Sequence, residues 1–135
     1  TKKCFDELHR VLKTGGFAKI MIYHKHSPVG WMLWIKYGLF KFRPFRSLEN
    51  IYSDYLESPG TKAYTIEEAK ELVKQFSNAE ISVQLSFGDL LNGNVGVRHK
   101  GLLLSLAKVI YPKLLIKMIA KFFPIGLYLL IKLEK

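Results

Sequence analysis

Residues 10–24 read Arg10-Val-Leu-Lys-Thr-Gly-Gly-Phe-Ala-Lys-Ile-Met-Ile-Tyr-His24, and this stretch decides the fold. Just upstream, Cys4, Phe5, Leu8, Val11 and Leu12 recur with the spacing of one apolar helix face. Gly15 then sits where a helix end takes the left-handed conformation that side chains resist, and Lys13 suits the negative end of the helix dipole. From Phe17 to Tyr23 every residue but Lys19 is apolar, which predicts a strand covered on both faces, as in a parallel sheet. Helix, Gly-Gly turn and strand make the α-to-β half of a βαβ unit. The strand expected before the helix lies outside this chain.

Working outward, His24 to Pro28 reads as a loop and Trp31 to Lys41 as a helix so apolar that protein, lipid or substrate must cover it. Ser47 is the expected N-cap of another helix, with Leu48, Ile51, Tyr52, Tyr55 and Leu56 on one face and Asp54 and Glu57 on its polar side. Ser58-Pro-Gly60 stops it. Thr65 and Glu68 have the spacing of a capping box, opening a helix whose stripe is Ile66, Ala69, Leu72, Val73 and Phe76. Ile81, Val83, Leu85 and Phe87 then alternate with Glu80, Ser82, Gln84 and Ser86, predicting a strand buried on one face near a sheet edge. Gly88 to Gly101 reads as a loop that lacks the glycine spacing of a phosphate cradle. Two helices, Leu102–Tyr111 and Lys113–Phe123, are expected on either side of Pro112, and Gly126 to Glu134 is expected to form the last strand.

The pattern Arg10-Val-Leu-Lys-Thr-Gly-Gly16 before an apolar strand resembles the helix-to-fifth-strand junction of class I S-adenosylmethionine-dependent methyltransferases, with Thr14 where proline is usual. Tyr23-His24 after the strand, the basic-aromatic segment that follows, and Ser58-Pro-Gly60 leading to Tyr64-Thr65 are similar to a type 11-like branch of that family. The likeness runs from Phe5 to Phe87 and resumes near Gly126. It implies an α/β fold, the C-terminal half of a Rossmann-like methyltransferase sheet. This chain would hold strands five, six and seven, the last antiparallel and inserted between the other two. Residues 1–135 would then be the C-terminal portion of one domain, with helical inserts at 27–60 (a substrate lid) and 97–124, and with the cofactor-binding half upstream. S-adenosylmethionine is the implied cofactor, and the chain alone is expected to bind it poorly.

Composition narrows the partners. The chain of 135 residues carries 21 Lys and Arg against 11 Asp and Glu, a net charge of +10. That excess suits nucleic acid, an anionic membrane surface or an acidic substrate. The charges are interleaved with hydrophobic residues, which disfavours a nucleic-acid arm and favours a lipid interface. The single Cys4, expected in the core, excludes an internal disulfide and makes a reducing, cytoplasmic compartment the default, with peripheral attachment to membrane allowed. The longest uncharged apolar run late in the chain, Phe122 to Ile131, is short of the roughly 20 residues that a spanning helix needs.

In open α/β sheets ligands bind beyond the carboxyl ends of the strands. Tyr23 and His24 are therefore the candidate catalytic residues, with Trp31, Tyr37, Arg43, Arg46 and Tyr64 as candidate substrate-binding residues. The guanidinium forks of Arg43 and Arg46 suit an anionic group. The plainer alternatives are packing for Tyr23, a loop hydrogen bond for His24 and a solvated basic face for the arginines. No metal site is expected, since His24 and His26 lack a third ligand nearby, and His9 and His99 read as surface residues. The expected activity is methyl transfer to a hydrophobic or lipid-linked small molecule. The alternative is a non-catalytic basic amphipathic module that docks on an anionic membrane or a partner protein.

Overall fold

A computed structural model describes residues 1–91 and 111–135. The described elements are α1 (Lys2–Val11), β1 (Phe17–His24), α2 (Pro28–Trp34), α3 (Leu48–Tyr55), β2 (Ala63–Tyr64), α4 (Ile66–Val73), β3 (Asn78–Gln84), α5 (Lys113–Phe122) and β4 (Tyr128–Glu134). The chain is an α/β protein whose four described strands form one mixed sheet in the order β2-β1-β4-β3. β4 runs antiparallel to both neighbours, with Ile131 opposite Ile20 on one side and Ile81 on the other. β2 adds in parallel only at the tip of β1, pairing Tyr23 with Ala63 and His24 with Tyr64. The expected placement of the last strand between the other two is found.

The central strand is built for that position. Leu129, Ile131 and Leu133 alternate with more exposed neighbours and are buried beneath α1 and α4, packed with Phe5, Ala69, Val73 and Phe76. Fully burying each such aliphatic chain stabilises the fold by about 2 kcal/mol. The Gly-Gly turn clamps the far end of the same ladder. Gly15, at φ +72°, donates its N–H to the Lys135 carbonyl at 2.8 Å, and Lys135 donates back to Gly16 at 3.1 Å. The left-handed glycine thus serves a turn, because α1 already stops at Val11 with Leu12 extended.

Several local expectations are corrected. β1 is covered on one face only: Ala18, Ile20 and Ile22 pack on the core, whereas Phe17 (84 % exposed) and Met21 project from an open face. Among the described residues, the edge of β1 from Phe17 to Ile22 has no partner strand besides β4 on its other side. Cys4 is exposed, because α1 touches the core through Phe5, Leu8 and Leu12, and the apolar stripe is wider than that contact. The alternation after Ile81 breaks at its end: β3 stops at Gln84, Ser86 is buried and Phe87 is exposed. The cause is a turn in which Ser86 gives both its N–H and its hydroxyl to Asp89. The helix expected from Trp31 begins earlier, capped by Ser27, and its last turn widens into a π-turn over Ile35–Leu39. The loop from residue 92 on, the first of the two helices around Pro112 as far as residue 110, half of the second insert and His99 fall outside the described residues.

Candidate functional site

Two short caps hold the carboxyl end of β1. The Thr65 hydroxyl accepts from Glu68 N–H, and the Glu68 carboxylate accepts from Thr65 N–H at 2.7 Å and from Lys25 Nζ at 2.9 Å. Those bonds to Thr65 and Lys25 hold the Glu68 carboxyl below its usual range. The capping box predicted from sequence therefore also ties down the residue that follows His24.

On the other side, Tyr52 of α3 closes a buried knot. Its hydroxyl donates to the carbonyls of His24 and Lys25, at 3.1 and 3.2 Å, and lies 2.6 Å from Ser27 Oγ. Ser27 Oγ in turn accepts from Gly30 N–H at 3.0 Å, fixing the first turn of α2. Burial pushes the Tyr52 phenol up to about 12. Asp89 completes the knot from below. It is fully buried, and its carboxylate accepts from Val29 N–H, Ser86 N–H, Ser86 Oγ and Leu127 N–H. One acid thus joins α2, the turn after β3 and the entry to β4.

His24 is buried, with Nδ1 3.0 Å from the Gly126 carbonyl. A carbonyl only accepts, so Nδ1 carries the proton and Nε2 keeps the basic lone pair. Burial lowers the imidazole pKa and His26 adds to that, while the Gly126 carbonyl, Asp89 and Glu67 oppose it. The ring is neutral at pH 7. Tyr23 faces the other way, since successive strand residues project to opposite sides of a sheet. Its ring packs 5.7 Å from that of Tyr128, and the Glu57 carboxylate lies near enough to act on its hydroxyl. Burial first, then that carboxylate, hold the phenol well above its ordinary ionisation range. The two candidate catalytic residues are therefore adjacent in sequence without converging on one point.

Tyr23 packs instead on the core cluster of α2 and α3, against which Tyr37, Tyr55 and Tyr128 also pack. Tyr37 stacks on Tyr55 at 3.9 Å with planes 2° apart, Lys36 and Lys41 lie over the Tyr37 ring, and the Arg46 guanidinium lies over Tyr55. Arg46 also pairs with Asp54, and its carbonyl accepts from Trp34 Nε1, so it clamps α2 to α3. Trp31 is half exposed and makes a T-shaped contact with Trp34, and Arg43 is exposed. Tyr64 packs on the main core and bonds to Thr1. Of the residues predicted from sequence, Tyr23 and Tyr37 pack on the same core cluster and Arg46 lies over Tyr55 of that cluster's rim, whereas Tyr64 packs on the main core. Sequence reading placed Glu57 on the polar face of its helix and left Asp89 in a loop. Glu57 lies just beyond α3, where helical phase no longer applies, and Asp89 carries no local signal.

Comparison with protein-family models, characterised proteins and solved structures finds no match. Among the described residues, no three His, Cys, Asp or Glu side chains converge as metal ligands. No described helix is long and apolar enough to cross a membrane.

Proposed function

We propose that this chain is the acceptor-side part of an S-adenosylmethionine-dependent methyltransferase. The observation that carries the reading is the strand order, in which the last strand is wedged antiparallel between β1 and β3. The partnerless stretch of the β1 edge and the open face with Phe17 and Met21 are what a larger parallel sheet with its own helices covers. Among the described residues, the Gly-Gly turn does not supply a cofactor cradle. The Gly15-Gly16 turn precedes β1 at its amino end and spends its N–H on Lys135, so it offers no donor to an anion. The cofactor then belongs to segments upstream, and this chain's share is recognition of the acceptor.

Tyr23, Tyr37, Tyr55 and Tyr128 pack on one core cluster, and Lys41 and Arg46 lie over the rings of the stacked Tyr37–Tyr55 pair. That combination suits an apolar acceptor bearing an anionic group, such as a lipid-linked small molecule. Tyr23, kept neutral by burial and the nearby Glu57 carboxylate, orients the acceptor as a phenol. The test is transfer of a labelled methyl group from S-adenosylmethionine to lipid-extract acceptors by the polypeptide carrying this segment. Tyr23→Phe is expected to lower turnover at least tenfold, an estimate of about 1.4 kcal/mol in the barrier, with little change in melting temperature. Absence of any transfer by the unmodified polypeptide contradicts the proposal.

A further inference from the structure

α5 is a helix with no buried residue. At about 100° per residue, Leu114, Met118, Phe122, Leu115 and Ile119 share one arc of about 140° and are exposed, with Leu114 at 77 % and Phe122 at 81 %. Lys113, Lys117 and Lys121 fall in the adjoining arc, and the less exposed Ile116 and Ala120 lie opposite the apolar face. A ten-residue helix is marginal in water without a surface to bury against. From the described packing, none is provided for this apolar arc.

We infer that α5 lies in the plane of an anionic lipid surface, its Leu114-Met118-Phe122 face in the acyl boundary and Lys117 and Lys121 at the phosphates. Three observations select lipid over other occupants. The cations form one flank beside a broad apolar arc, the arrangement of interfacial helices whose lysines reach up to head groups. α5 contains no acidic residue, and the net charge of +10 draws the whole chain to an anionic surface. The tip after α2 has the same character independently: Phe42 and Phe45 are 94 % and 100 % exposed beside Lys41 and Arg43. Phe42 is even held at φ +54°, a backbone region bulky residues avoid. Nucleic acid matches the charge but not the apolar arc. The docking does not depend on the methyl-transfer reading.

Flotation of the full chain with phosphatidylcholine vesicles, with and without phosphatidylglycerol, tests it. Binding is expected to the mixed vesicles, released by high salt. Lys117→Gln and Lys121→Gln should each lower partitioning about fivefold, the equivalent of about 1 kcal/mol per lysine near an anionic surface. Phe122→Ser should weaken binding as well, and Phe122→Trp should show a blue-shifted emission on the mixed vesicles. Circular dichroism should stay unchanged, since these side chains are exposed. Equal binding to both vesicle types overturns the inference, as do unaltered partitioning by the variants, self-association lost in Phe122→Ser without vesicle binding, or capture of duplex DNA in place of vesicles.

Discussion

His24 Nδ1 and the carbonyl oxygen of Gly126 lie 3.0 Å apart, joining residues 102 positions distant in the chain. The bond locks the end of β1 to the entry of β4 and fixes a neutral imidazole in a buried setting. Because the folded pKa lies below the ordinary 6.5, the unfolded chain binds the proton more readily. This contribution to stability is therefore present above about pH 6.5 and declines as pH falls toward the folded value. Urea unfolding between pH 7.5 and 5 should show that decline, and His24→Gln should flatten it while costing about 1–3 kcal/mol at neutral pH.

Gly30 and Tyr52 approach so closely that only glycine fits. A Cβ at position 30 would lie 2.2 Å from the Tyr52 hydroxyl and 2.8 Å from Cζ. Tyr52 cannot retreat without giving up Ser27, His24 and Lys25. Gly30→Ala should destabilise by about 2–3 kcal/mol, read from the urea midpoint. Unchanged stability would mean that α2 and α3 do not pack as described.

Asp89 holds three backbone N–H groups and a hydroxyl with no exposure to solvent. Asp89→Asn turns one acceptor into a donor facing N–H groups, and should cost about 3 kcal/mol. Amide exchange should accelerate at Ser86, Leu127 and Val29 together, since one carboxylate serves all three. Exchange confined to Ser86 would show that the joint is local.

Much of this architecture was legible because its signals are local. Thr65 and Glu68 announce a capping box within four residues, and Ser47 caps the helix that follows it. The alternation of Ile81 and Val83 marked a half-covered strand, and the Gly-Gly turn placed the start of β1. What sequence concealed was set by distant partners. The apolar run of β1 reads as doubly covered, yet Phe17 and Met21 meet no described layer. Ser86 is inside and Phe87 outside because Asp89 bends the chain there, and no periodicity encodes that. Tyr23 and His24 looked like a pair from sequence. The pleat separates them, and a phenol–carboxylate contact with Glu57 takes the place of the expected partnership.

The order β1-β4-β3 carries the functional reading, and the flanking of Ile131 tests it most directly. Nuclear Overhauser contacts between backbone protons should connect Ile131 to both Ile20 and Ile81, and Leu133 to both Ala18 and Ala79, in the antiparallel pattern. Contacts from Ile131 to only one of the two, or a helical pattern across Tyr128–Glu134, would contradict the wedged strand and remove the basis for the methyltransferase proposal.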